Sequence, residues 1–377
     1  MHRGGDCQAD KALLDDPDIP VIVKKMKYSA LVLLLLSVVL LFFSCHSQAP
    51  STEEVEEESE PAFELSEEPE LVIELPPEGA ALPVSAFGEI WAYVVAGREA
   101  ALKPGLPISD IGYFGADIDS FGALVDVPSR RKLQAFPGRV HMVVKCDGRA
   151  LSHFVLVPGS AERKALVTAL LAAAKDYDGL QIDFENVSQR DAGAFLSFLT
   201  ELRAGLENKM FTIALPARTK KINNDTYDYE KIRPLVDRIL VMAYDEHWST
   251  SKAGPIASLP WCKRVADHAL TVIGREKLIM GLPFYGRAWG HANPSRALLY
   301  SGVETILSDN RIAEIRRENV IPTFDYEVPI SVKVYFEDDY SLSARMEMYS
   351  SMGVAAIGFW RLGQETQAVW NLLRLEK

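Results

Sequence analysis

From about residue 87 onward, short apolar runs alternate with segments whose apolar residues recur every three or four positions. The short runs predict strands at 89–95, 110–114, 140–145, 179–184, 210–215, 238–243, 277–282 and 355–359. Between them, 161–177 carries Leu166, Leu170 and Ala174 at spacing four, and 190–206 gathers Phe195, Phe198, Leu199 and Leu202 on one helical face. Further helices are predicted at 260–272 and 341–352, and one at 366–375 closes the chain.

Helices alternating with buried strands predict a parallel sheet, because parallel neighbours need a crossover long enough to hold a helix. Eight such strands predict an α/β fold of the (β/α)8 TIM-barrel type, which takes about 250 residues. A doubly wound open sheet is the alternative, but no Gly-rich phosphate loop follows the first strand. The stretch 289–339 between strands seven and eight is too long for one helix. It predicts a short insertion with a helix near 303–318 and a strand at 331–336.

The fourth strand carries candidate chemistry. Gly179 breaks the preceding helix, and Leu180, Ile182 and Phe184 then alternate with Gln181, Asp183 and Glu185. Residues two apart in a strand share a face, so the apolar three pack behind the sheet and the polar three line its other side. Two carboxylates on one face in a low-dielectric setting do not both ionise easily. One of them, assigned to Glu185, is expected to keep its proton near neutral pH, as a general acid must. An ordinary strand with its polar side in solvent has the same alternation.

The chain ahead of the barrel pattern divides into three. Residues 1–25 hold Asp6, Asp10, Asp15, Asp16 and Asp18, which do not suit the start of a secretory leader, and read as a non-native upstream extension. Residues 26–45 run from Met26 and Lys27 through an apolar core to Ser44 and Cys45. That ending resembles a bacterial lipobox, which implies lipidation at Cys45 and a lipid anchor in the bacterial cell envelope. An uncleaved anchor helix is the competing reading. Residues 46–84 are rich in Glu, Pro and Ser. Little there can be buried and like charges repel, so a disordered tether is expected, ahead of the domain at 85–377.

The 377 residues have a net charge of −12, which argues against a nucleic-acid partner. Cys7, Cys45, Cys146 and Cys262 have neither metal-site nor disulfide-framework spacing. No metal or cofactor is expected, and a monomer is.

The run Asp178-Gly179-Leu180-Gln181-Ile182-Asp183-Phe184-Glu185 resembles the Asp-x-x-Asp-x-Asp-x-Glu signature of glycoside hydrolase family 18, the chitinase family. Asp178, Asp183 and Glu185 fall on acidic positions of that signature. Gln181 stands where the family has Asp or Asn, a departure that bears on the tuning of Asp183. Met242-Ala243-Tyr244-Asp245 resembles the family's Met-x-Tyr-Asp motif. Its continuation, Glu246-His247-Trp248, resembles the spore-cortex-lytic, N-acetylglucosaminidase-like branch. No second metal ligand accompanies His247, which reads as a structural group. The run from Met280 to Trp289 resembles the family's seventh-strand motif, with Tyr285 and Arg287 toward the cleft. Trp360 falls where the family has a Trp floor under the reacting sugar, and Trp91 and Tyr93 on the first strand are further candidates for that wall.

The resemblance implies a retaining glycoside hydrolase acting on β-linked N-acetylglucosamine glycans, with peptidoglycan or its fragments ahead of chitin oligomers. It implies Glu185 as acid and then base, Asp183 as the group that orients the substrate acetamido N–H, and Tyr244 as a hydrogen-bond partner of the acetamido oxygen. The sugar-binding set it implies is Asp178, Gln181, Met242, Asp245, Tyr285, Arg287, Trp360 and Tyr93. The rival is a sugar-binding envelope lipoprotein without catalysis, since lectin-like members of the family lose the acid. Glu185 is retained here.

Overall fold

A computed structural model describes residue 77 and residues 80–290, 300–318, 321–327 and 329–376. The expected leader, Cys45 and nearly all of the Glu-rich tether lie outside the described residues. Among the described residues no helix is long and apolar enough to cross a membrane.

Eight parallel strands form the frame: β1 (Glu89–Val95), β2 (Asp110–Ile118), β3 (Arg139–Lys145), β4 (Gly179–Asp183), β5 (Met210–Pro216), β6 (Arg238–Met242), β7 (Leu278–Pro283) and β8 (Ala356–Trp360). Each pairs with the next in chain order, and β8 pairs back onto β1, so the sheet closes. The barrel expectation holds, and the open doubly wound sheet is excluded.

Helices cover the outside. α1 (Arg149–Leu156) and α2 (Ala161–Ala174) follow β3, α3 (Ala192–Gly205) follows β4, the short α4 (Tyr229–Ile232) follows β5, and α5 (Leu259–Val272) follows β6. α6 (Tyr300–Asp309) belongs to the insertion and α7 (Asp339–Ser351) leads into β8. The first two crossovers carry only single turns, Glu99–Ala101 and Arg130–Leu133.

The strand alternation is what aims the site. Leu180, Ile182 and Phe184 are fully buried behind the sheet, with Phe184 stacked on Phe195 and Phe198 of α3 at 6.2 and 5.7 Å. Their burial forces Gln181 and Asp183 into the barrel interior. Trp91, Val143, Leu240 and Ile279 fill that interior. Trp91 is fully buried there and stacks on the His141 ring at 4.3 Å, so it plugs the barrel and is no part of a sugar wall.

Two predicted helices are corrected. Residues 366–375 form a turn, Gln367–Leu372, and then a strand, Leu373–Leu375, which pairs in parallel with Ser85–Phe87. Val369 and Trp370 are buried there, and the Trp370 ring packs on Phe284 and Phe359 at 5.7 and 5.6 Å. Tertiary packing overrides the local helical pattern. In the insertion, α6 stops at Asp309 because Arg311 turns to φ +53°. Arg316–Glu318 then pairs with Ile321–Thr323 as a hairpin. The predicted strand at 331–336 is present as Val332–Tyr335, paired antiparallel with Arg287–Gly290.

Candidate active site

A cavity of about 730 Å3 opens at the C-terminal ends of the barrel strands, the end where this architecture places its chemistry. Asp183 is the last residue of β4 and Glu185 lies two residues beyond, and both line the cavity. Asp183 is 8 % exposed and its Oδ1 has no hydrogen-bond partner among the described residues. Burial, reinforced by the neighbouring Glu185 and Asp147 charges, pushes its pKa up to about 8, against the pull of Lys145. Glu185 is also raised, by loss of surrounding water and then by Asp147 and Asp245. The sequence assigned the retained proton to Glu185. The structure raises both groups, and the deeper burial makes Asp183 the stronger case.

Strand β4 is clamped from the side. The Tyr227 hydroxyl donates to the Phe184 carbonyl at 2.8 Å and accepts from the Val187 N–H at 2.9 Å. Those two contacts bracket Glu185 and fix where its side chain leaves the backbone.

Past β6, the half-buried Tyr244 forms part of the cavity wall, and loss of surrounding water holds its hydroxyl far from ionisation. Gly281 on β7 makes room for it: a Cβ there would lie 2.9 Å from the Val241 carbonyl oxygen and 3.0 Å from Tyr244 Cε1. Asp245 adopts φ +57°, a conformation Asp tolerates better than most residues. Its carboxylate accepts the Tyr285 hydroxyl at 2.5 Å, and Arg287 Nη2 spans its two oxygens at 2.7 and 2.8 Å. This locks three expected residues into one unit. Met242 is also in the wall. Trp360 forms the floor at the end of β8, braced by Tyr93 and Phe114 at ring distances of 5.3 and 4.9 Å.

Three expected sugar contacts are corrected. Asp178 precedes the first residue of β4, and five residues of strand span about 17 Å, so it lies at the opposite end of the barrel from Glu185. There it accepts the Val140 N–H at 2.8 Å and faces Arg130 at 3.6 Å. Gln181 is fully buried inside the barrel, bonded to the Tyr93 hydroxyl and, at 3.1 Å, to Thr212 Oγ1. Tyr93 is 3 % exposed and supports Trp360 from below instead of touching the cavity. His247 is structural, as expected, and its Nδ1 donates to the Pro255 carbonyl at 2.9 Å.

The sequence reading missed Phe114, Lys145, Asp147, Arg218 and Trp261. Phe114 and Lys145 end predicted strands, and Asp147 and Arg218 lie two or three residues past such ends, so the strand-end rule alone marks them. Lys145 pairs in register with Asp183 and bridges to Asp117 at 2.6 Å and to Asp147. Trp261, at the start of α5, has no sequence signal of this kind. Among the described residues no cluster of His, Cys, Asp and Glu is arranged to hold a metal ion.

A family model described as glycosyl hydrolases family 18 matches residues 140–365. A putative sporulation-specific glycosylase, YdhD, of Bacillus subtilis is 31 % identical over 205 residues, 51 % of this chain and 48 % of the relative. A cortical fragment-lytic enzyme of Bacillus anthracis is 25 % identical over 235 residues, 58 % of this chain and 54 % of the relative. The chain thus spans about half the length of these curated relatives. Among solved structures, the Bacillus cereus spore cortex-lytic enzyme SleL superposes with a TM-score of 0.59 at 19 % identity, covering 77 % of this chain and 74 % of that one.

Proposed function

The chain belongs to glycosyl hydrolases family 18, and from that premise we propose that it is a retaining glycosidase of β-linked N-acetylglucosamine glycans, working by substrate assistance. The observation that carries this is Asp183 and Glu185 lining one cavity, with Asp183 so deeply set that its Oδ1 is buried without a partner among the described residues. A buried acceptor without a partner is costly. The acetamido N–H of a bound N-acetylated sugar gives this carboxyl group the donor it lacks and at the same time turns the acetamido oxygen toward the anomeric carbon.

The carboxylates of the cavity wall are Asp183, Glu185 and Asp245. Asp245 is committed to Tyr285 and Arg287. Asp183 and Glu185 are two residues apart on one strand end, so they do not flank a glycosidic bond from opposite sides as the two-carboxylate mechanism requires. The nucleophile therefore comes from the substrate. The acetamido oxygen attacks the anomeric carbon while Glu185 gives its proton to the departing oxygen. The acetamido N–H bonds to Asp183 and favours its ionised form, so that the carboxylate balances the positive charge of the cyclised ring, and the Tyr244 hydroxyl holds the acetamido group from the other end. Water then opens the ring from the face the departing oxygen has left, giving a proton back to Glu185, so configuration is retained. Trp360 offers an aromatic face to the C–H surface of the sugar.

Peptidoglycan or its fragments are the proposed substrates, ahead of chitin oligomers. The names of the cortical fragment-lytic relatives support that order. Incubating the purified protein with each and weighing the products by mass spectrometry tests it: release of fragments ending in N-acetylglucosamine is expected, and no cleavage of either polymer contradicts it.

The proposal extends to location. Ser44 and Cys45 follow an apolar run and precede the Glu-rich stretch, which supports lipidation at Cys45 and a place on the cell envelope. Cys45→Ala is expected to release the protein from the membrane fraction, and unchanged detergent partitioning contradicts the anchor.

A further inference from the structure

Arg218 follows β5 by two residues and contributes to the cavity wall, yet the reaction above makes no use of it. Its side chain is held in one orientation. Nε donates to Asp225 Oδ2 at 2.6 Å, Nη2 to Asp225 Oδ1 at 3.0 Å, and Nη1 to the Ala217 carbonyl at 3.1 Å. These three bonds occupy one edge of the guanidinium and one of the two Nη1 protons. The other edge, one N–H on Nη1 and one on Nη2, has no partner among the described residues. Its fork geometry matches a carboxylate.

The placement gives that edge a direction. Arg218 borders both the cavity and a smaller groove, whereas Asp225 borders only the groove. The ion pair therefore lies with its acid on the groove side and its cation toward the cavity. Asp225 also accepts the Tyr227 N–H at 3.1 Å, and the hydroxyl of the same Tyr227 clamps the backbone on either side of Glu185. One short loop thus fixes both the arginine and the catalytic strand end, and the distance between cation and acid is built in. A fixed cation beside a sugar site, in a chain of net charge −12, would attract nothing from chitin, which is neutral apart from stray amines.

We propose that Arg218 is a carboxylate-recognition site that selects glycans bearing an acid on the sugar next to the reacting N-acetylglucosamine. This rests on the glycosidase reading and refines its substrate. In peptidoglycan chemistry the acid has two sources: the 3-O-lactyl group of a strand stripped of its peptide, or the carboxylates of a short remaining stem peptide. If the lactyl acid is the ligand, a reaction that cleaves the lactyl–peptide amide must precede this enzyme.

The test uses the full chain and three matched disaccharide fragments: one with a free lactyl carboxylate, one with that group converted to its primary amide, and one carrying a short acidic peptide on it. Cleavage is measured as kcat/KM, and binding is measured separately by calorimetry on Glu185→Gln. The wild type is expected to prefer an acidic fragment over the amide by about ten- to hundredfold, the range for a charge-assisted bond. The preference should shrink at high salt, and which acidic fragment leads identifies the source. Arg218→Lys should lose most of the preference by losing the fork, and Arg218→Met combined with Asp225→Asn should abolish it without leaving a buried acid unpaired. Equal handling of acid and amide by the wild type overturns the proposal and leaves the glycosidase reading intact. Selective binding without any cleavage upholds the carboxylate site and overturns the glycosidase reading instead.

Discussion

Gln181 lies two residues below Asp183 on the same face of β4 and makes no hydrogen bond to it. Its amide is engaged with Tyr93 and, at 3.1 Å, with Thr212. A second carboxyl group at this position would compete with Asp183 for a proton, and the amide of Gln181 does not. Asp183 is left buried, next to the Glu185 charge, with an orphan oxygen. On the proposed mechanism the relief for Asp183 comes from the substrate.

That arrangement has a signature in stability. With its pKa raised from 3.8 to about 8, Asp183 is protonated in both folded and unfolded chains at low pH and contributes no difference there. As pH rises from about 4 toward 8, the unfolded chain ionises this group first, so the fold loses stability across that window. Asp183→Asn removes the effect. Thermal melts of the two proteins should agree near pH 4, and the variant should gain several degrees on the wild type by pH 8 to 9. Parallel melting curves across the range would contradict the burial argument.

The clamp on β4 is a separate matter. Tyr227→Phe keeps the ring and removes only the hydroxyl that serves the Phe184 carbonyl and the Val187 N–H. Leaving buried backbone groups without partners costs about 1–3 kcal/mol. Denaturant unfolding should show a loss of that size, and kcat should fall more than KM rises, because Glu185 loses its fixed exit from the strand. Unaltered kcat in a destabilised variant would make the clamp purely structural.

How much of this was legible in the sequence follows from the range of each interaction. The barrel and the placing of Asp183 and Glu185 on one face rest on period-two alternation, and Tyr244, Asp245 and Trp360 rest on short motifs that resemble the family's, all of them local signals. Asp178 was misplaced because it shares a motif with Glu185 while the strand carries the two to opposite ends of the barrel. The resemblance implies sugar contacts at Gln181 and Tyr93, and both lie deeper than a motif reveals, since a motif carries a residue's place along the strand and not its depth. The Arg218–Asp225 pair and the Tyr227 clamp join β4 to the loop after β5, and no local pattern announces them. The pairing of Leu373–Leu375 with Ser85–Phe87 brings the two ends of the domain together, so a helical pattern at 366–375 was overruled from far along the chain.

Gly281 is the narrowest point behind Tyr244. In Gly281→Ala the new methyl would stand 2.9 Å from a backbone oxygen and 3.0 Å from the Tyr244 ring. The backbone yields little, so the ring moves. Overpacking of this kind costs about 1–3 kcal/mol, and cleavage of an N-acetylated substrate should fall at least tenfold through misplacement of the Tyr244 hydroxyl. A crystal structure of the variant with Tyr244 in place, or full activity, would refute the packing argument.

The account stands or falls on the nucleophile being the substrate's own acetamido oxygen. The direct measurement compares two aryl glycosides, one of N-acetylglucosamine or its dimer and one of the matching glucose, with wild type and Glu185→Gln. The N-acetylated substrate should be cleaved by the wild type, and Glu185→Gln should lower its turnover by about 10²–10⁴. The glucoside should not turn over, because it lacks both the nucleophile and the group that Asp183 and Tyr244 hold, and a thiazoline mimic of the cyclised sugar should inhibit as a resemblance of the stabilised species. Comparable cleavage of the two glycosides by the wild type would contradict substrate assistance and require a carboxylate nucleophile elsewhere in the barrel.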